Sequence, residues 1–296
     1  MKTRGPAGCP AGETAGGTAA VREYYERNTV RFLRWGRDGG TQNLHAALWT
    51  PATKTTAEAM QAANELVARE IEESPLPVRR LLDLGCGVGA SLFYLGRRLP
   101  GIERLMGVTL SPLQVEYARR GIPAGEAERF CFAEADFLDL DPCRFACDLA
   151  FAIEAFAHAL DAAAFFRTVA RLLPAGGRLA LIDDVLGEDG KPDRDPAARA
   201  LLDTYRRSWR LPSLLPERDI VSAAAAAGMR PIRRRDLTPW LRLGRPRDRA
   251  VALLTRLAPR PLRRSLYFQM LLGGDAKQRC YRTGITAYRL LVFEVP

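Results

Sequence analysis

The sequence predicts an α/β protein built on a mostly parallel sheet, and three observations lead there. Short apolar runs (LLDL, LMGVT, FCFAEA, LAFAIE and LALIDDV) recur through the middle of the chain. Segments of helical periodicity separate them, which is the pattern of parallel strands covered on both faces. The first run breaks directly into a glycine-rich turn, Gly85-Cys86-Gly87-Val88-Gly89, that opens a helix.

Each element follows in order. Residues 1–20 are rich in Gly, Ala and Thr and are expected to form a disordered tail. From 21 to 35, Val21, Tyr24, Tyr25, Phe32 and Leu33 fall at helix-like spacing. From 56 to 72, Ala59, Met60, Ala63, Leu66, Val67 and Ile71 recur every three or four positions. A loop carrying Gln42, His45 and Trp49 joins these two helices, and Pro75 and Pro77 close the N-terminal unit, read as a helical lid over 21–76. The core is placed at 77–237. It ends with a helix over 161–173, a polar stretch at 187–196, helices around 197–209 and 216–227, and a strand over 229–237. An Arg- and Pro-rich helical insert at 238–283 would cap the substrate, and 284–296 supplies the last core strand.

Composition narrows the function. The 296 residues are 47% hydrophobic and 26% charged, enough to bury a full core. No apolar run approaches the roughly 20 residues of a membrane span, and the N-terminus lacks the apolar centre of a secretory signal. Six cysteines, with no second Cys/His pair near Cys143-x-x-x-Cys147, point to cytoplasmic thiols and no metal site. The net charge of +10 is local, because from Gly228 onward sixteen Lys+Arg face four Asp+Glu, while the preceding residues sum to −2. Only four of the 44 basic residues are lysine, so the arginine bias pervades the chain and favours a solvated face over a nucleic-acid surface.

In the turn, Asp83 stands two residues before Gly85, and the Gly-x-Gly-x-Gly spacing is shorter than that of dinucleotide folds and lacks the Gly-Lys-Ser/Thr ending of a triphosphate loop. LLDLGCGVGAS resembles the first motif of class I S-adenosylmethionine-dependent methyltransferases, and the likeness runs from Leu81 to Asp183. It implies a Rossmann-like, seven-stranded, mostly parallel sheet and S-adenosyl-L-methionine as cofactor. Asp83 would engage the methionine amino group, Gly85, Gly87 and Gly89 would admit the cofactor, and Asp136-Phe137 would clamp the adenine. The second strand departs from the family pattern, ending in Thr109-Leu110 in place of a ribose-binding acid. That form is similar to the branch holding tocopherol and sterol C-methyltransferases and cyclopropane-fatty-acid synthases, where Gln114 would take part of the ribose contact.

The fourth strand ends in Ile153-Glu154-Ala-Phe-Ala-His158, similar to the stretch of this branch that faces the transferring methyl. The chain has only two histidines, His45 and His158. A near-neutral base suits proton removal from a hydroxyl acceptor, so His158, Glu154 and His45 are the catalytic candidates. Were the acceptor an alkene, methylation would leave a carbocation, and Tyr24, Tyr25, Trp49, Trp240 and Phe268 are candidate stabilising walls. The expected reaction is methylation of a small lipophilic metabolite (isoprenoid, sterol-like or polyketide), with carbon favoured over oxygen. An RNA methyltransferase, or a protein that binds the cofactor and catalyses cyclisation, is the alternative. A phosphorylated acceptor would draw several of Arg233, Arg234, Arg242, Arg245 and Arg249 to the pocket mouth, whereas a neutral one would leave them in solvent. A homo-oligomer is compatible with the sequence, which does not specify one.

Overall fold

A computed structural model of the chain describes residues 40–188, 195–257 and 266–296, together with positions 19, 21–23, 26, 29, 192 and 259. Residues 1–18 and 20 of the expected tail, and Tyr24, Tyr25, Phe32 and Leu33 of the helix expected over 21–35, lie outside the described residues.

The helix α1 (Thr56–Glu72) begins where the sequence supplies a capping box. Thr55 Oγ1 accepts the Glu58 amide at 3.2 Å, and the Glu58 carboxylate reaches back to the backbone before the helix. Its Ala63, Leu66 and Val67 are buried against the sheet. Strand β1 (Arg80–Leu84) then enters the core, followed by α2 (Ala90–Arg98), β2 (Arg104–Thr109), α3 (Pro112–Arg120), β3 (Phe130–Glu134), α4 (Pro142–Phe145) and β4 (Leu149–Ile153). A 3-10 turn at Phe156–His158 leads to α5 (Ala162–Leu172) and β5 (Arg178–Leu186), and then to α6 (Pro196–Trp209), α7 (Glu217–Ala226) and β6 (Arg230–Asp236). After a 3-10 turn at Thr238–Trp240 come α8 (Pro246–Leu257), α9 (Leu266–Thr283) and β7 (Thr286–Glu294).

The strand order is β3-β2-β1-β4-β5-β7-β6 in one seven-stranded sheet. Strands β1 to β5 run parallel, and β7 is antiparallel to both of its neighbours. Helices on both faces bury two apolar layers, one containing Leu66, Leu81 and Phe151, the other Leu82, Phe165 and Phe293. The order reverses between β1 and β4, so the loops leaving these two strands diverge and open a crevice at their carboxyl ends. That crevice is where the fold positions its site.

Candidate active site

One cavity occupies this crevice, and the expected cofactor residues converge on it. Asp83, Gly85, Gly87, Thr109, Leu110, Gln114, Asp136, Phe137 and Ile153 all line it, as do Glu154, His45 and His158. Gly89 does not. A side chain there would point at the Phe132 ring, 2.8 Å away, so this glycine serves the close approach of turn and sheet.

The turn has the shape of a cradle. Gly85 and Gly87 have φ of 97° and 52°. A Cβ on Gly85 would strike Ala155 at 2.4 Å, whereas one on Gly87 would project into the cavity, with Leu44 Cδ1 its nearest neighbour at 3.7 Å. Asp83 is buried, receives no hydrogen bond from any described residue, and is pushed well above the usual carboxylate range by burial. A buried, uncompensated carboxylate facing a cavity is costly unless a cation joins it. The ammonium group of S-adenosylmethionine is such a cation, and the residues present fit it. Thr109 Oγ1 donates to Gln114 Oε1 at 2.7 Å and Gln114 Nε2 donates to Thr29 Oγ1 at 3.2 Å, which fixes the amide at the cavity wall. Asp136 accepts the Leu138 amide on Oδ1 at 2.9 Å, an Asx turn that orients the carboxylate.

Both histidines line the cavity in their neutral form. His158 Nδ1 lies 2.9 Å from the Arg210 carbonyl, so Nδ1 carries the proton and Nε2 the lone pair. His45 Nδ1 is 3.2 Å from the Ala46 carbonyl, and its Nε2 is buried without a hydrogen-bond partner among the described residues. Burial lowers the pKa of each below the ordinary 6.5.

Next to them lies a charge cluster. Lys277 Nζ sits 3.2 Å from Glu154 Oε2 and 3.3 Å from Asp184 Oδ2. Glu154 Oε1 accepts the Ala46 amide at 2.6 Å and the Tyr288 hydroxyl at 3.0 Å. Burial pushes the Glu154 carboxyl up, but Lys277, the Ala46 amide, His45 and Tyr288 together hold it below the usual range. The hydroxyls of Tyr205 and Tyr281 both donate to Asp184. Burial, with Asp184 adjacent, raises Asp183 to about 8, so that carboxyl carries a proton at neutral pH.

The aromatic walls read from the sequence are corrected by the structure. Trp49, Trp240 and Phe268 do not line the cavity. Trp49 lies beneath the Arg242 guanidinium, 3.2 Å from the ring centre, and Trp240 lies beneath Arg235 at 4.3 Å. Phe268 is buried elsewhere, on α9. Among the described residues, the phenyl, phenol and indole rings at the cavity are Phe137, Tyr205 and Trp209. Sequence reasoning also missed Asp184, Leu211 and Lys277. Lys277 left a trace, because it is the one lysine among sixteen basic residues from Gly228 onward. Of the five arginines considered for a phosphate, none lines the cavity. Arg233 pairs with Glu70 and Glu73, Arg234 with Glu188 and Glu217, Arg242 stacks on Trp49, Arg245 pairs with Asp248, and Arg249 donates to the Gly244 carbonyl.

Residues 82–181 match the family model of the methyltransferase domain. The chain is 28% identical over 202 residues to an O-methyltransferase of Pyrenophora dematioidea, an alignment covering 67% of this chain and 72% of that protein. It is 31% identical over 159 residues to an O-methyltransferase of Aspergillus nomiae, covering 53% of this chain and 68% of that one. The chain belongs to the S-adenosylmethionine-dependent methyltransferases. Other curated relatives of this methyltransferase are matched over 47% to 56% of their own length. Its fold is that of geranyl diphosphate C-methyltransferase from Streptomyces coelicolor, with a TM-score of 0.70 at 18% identity, over 97% of this chain and 100% of that one. Among the described residues, no group of His, Cys, Asp and Glu is arranged to hold a metal, and no helix is long and apolar enough to cross a membrane.

Proposed function

We propose that this methyltransferase methylates a hydroxyl of a small, uncharged, largely apolar metabolite of polyketide or isoprenoid type. The observation that carries this reading is His158, a neutral imidazole in the cavity wall whose Nδ1 is anchored to the Arg210 carbonyl. That anchoring leaves Nε2 as the basic atom, suited to take the proton of an acceptor hydroxyl as the oxygen becomes nucleophilic. Bound in the cradle, S-adenosylmethionine supplies an electrophilic methyl carbon on an excellent leaving group. Asp83 would hold its ammonium, Gln114 and Thr109 would face the ribose, and Asp136 with Phe137 would receive the adenine. The chain's remaining task is alignment of the hydroxyl and exclusion of water. Leu44, Leu160, Leu211 and Trp209 line the cavity beside the two histidines. The loop before α1 and the insert at 238–283 serve as its covers.

Two features shift the reading from carbon toward oxygen. Trp49, Trp240 and Phe268, the described rings read as faces for a carbocation, lie away from the cavity, while two neutral imidazoles line it. The O-methyltransferase relatives support the same choice. An uncharged acceptor is favoured because, among the described residues, Lys277 is the only lysine or arginine at the cavity, and Glu154 and Asp184 already neutralise it.

The test is transfer from S-adenosylmethionine labelled in its methyl group to a panel of hydroxylated polyketides and isoprenoids, each paired with its deoxy analogue and its phosphate ester. The expected result is one labelled methyl on oxygen, with the deoxy analogues and phosphate esters inert. Label on carbon, or turnover of the phosphate esters alone, would overturn the assignment.

A further inference from the structure

We propose that Glu154 is a positioning residue, the one core carboxylate to which both covers of the acceptor cavity are fastened. Glu154 stands at the carboxyl end of β4 with φ of 50°, a left-handed conformation that a glutamate adopts only when its surroundings impose it. Its Oε1 holds the Ala46 amide of the N-terminal loop at 2.6 Å, beside His45 in the cavity wall, and its Oε2 holds Lys277 of α9 at 3.2 Å. The Tyr288 hydroxyl from β7, at 3.0 Å, completes the set. A carboxylate engaged by an amide, a hydroxyl and an ammonium is badly placed to take an acceptor's proton, so Glu154 is not the base that its sequence position suggested.

The covers meet again outside the cavity. Leu48 and Leu241 form an antiparallel bridge, and the Trp49 amide donates to the Trp240 carbonyl at 2.7 Å. The loop and the insert therefore meet along a seam away from the cavity, with Leu48 buried in it, and share one carboxylate within. Lys277 reaches both Glu154 and Asp184, so the insert is bound to β4 and β5 together. This placement explains why the residues first read as acceptor walls, Trp49 and Trp240, serve the seam instead.

The inference rests on the acceptor site proposed above for its kinetic consequence, but not for its effect on the covers. Amide hydrogen exchange on the full chain separates the two. Glu154→Gln keeps the shape and removes the charge; it should speed exchange at least about tenfold in segments 43–49 and 272–283 together. Lys277→Met should speed it in 272–283 alone, and it stands in should Glu154→Gln fail to fold. In turnover, Glu154→Gln should raise the acceptor KM at least about tenfold while the acid limb of the pH–rate profile remains. The charges acting on His158 are those of Glu154 and Lys277, with Asp183, Asp184, His45 and Tyr205 lining the same cavity, so that limb would move with the lost charge but would not vanish. Unchanged exchange in these segments would overturn the inference, as would a kcat loss of about a hundredfold with unchanged KM and no acid limb. A wrong acceptor chemistry would appear differently, as full turnover by His158→Ala with the exchange pattern intact.

Discussion

At the scale of single residues, the proposed acceptor chemistry turns on His158. His158→Ala should lower kcat by at least about a hundredfold, the usual worth of a positioned base, and leave cofactor affinity unchanged. Steady-state turnover beside calorimetric titration of S-adenosylhomocysteine measures both. Burial places the His158 pKa below 6.5, and a base works only when neutral. Activity should therefore be level at neutral pH and fall in acid, with a midpoint below 6.5. The folded chain also refuses protons on both histidines that the unfolded chain accepts, so stability should decline as pH drops through the same region. Urea unfolding at each pH separates that loss from the kinetic one. The places of His158, Asp83 and Asp136 at the cavity were legible because each lies at or just beyond the carboxyl end of a strand, where local sequence fixes position. Lys277 was not legible, because it reaches the cavity from α9, 123 positions along the chain from Glu154.

At the scale of elements, the insert helix lies close against α6. A Cβ on Gly273 would stand 2.5 Å from Ser208 Cβ and 2.8 Å from Trp209 Nε1. Gly273→Ala should push the two helices apart and displace Trp209 from the cavity wall. The expected outcome is a raised acceptor KM and a lowered Tm, while S-adenosylhomocysteine binds as before. The start of α1 offers a purely structural counterpart. Thr55→Ala removes one half of its capping box and should cost about 1 kcal/mol in denaturant unfolding without altering KM. The strands and helices of the core were readable because their apolar periodicity and bounding turns are local signals. The packing of Trp49, Trp240 and Phe268 was not, since a ring on a cover element suits a cavity wall, a seam or a buried core equally well in sequence. Only the partner decides, and for Trp49 and Trp240 that partner is an arginine.

For the whole molecule, several of the arginines behind the charge of +10 are tied into local ion pairs. Among the basic residues of the C-terminal third, Arg230 meets Glu294, Arg233 meets Glu70 and Glu73, Arg234 meets Glu188 and Glu217, and Arg289 meets Asp236 and Glu217. Binding to bulk RNA should consequently be weak at physiological salt, and filter binding across a salt series checks this. What the whole fold provides is a crevice where the strand order reverses, a glycine turn at its floor and a lone buried acid beside it. The most direct test of that arrangement is calorimetric titration of S-adenosylhomocysteine into the wild-type chain and a Gly87→Val variant. The wild type should bind with micromolar affinity, near −8 kcal/mol. The variant should fold and fail to bind, because the new side chain fills the space reserved for the cofactor. Undiminished binding by a folded Gly87→Val chain, or no binding by the wild type, would contradict the site.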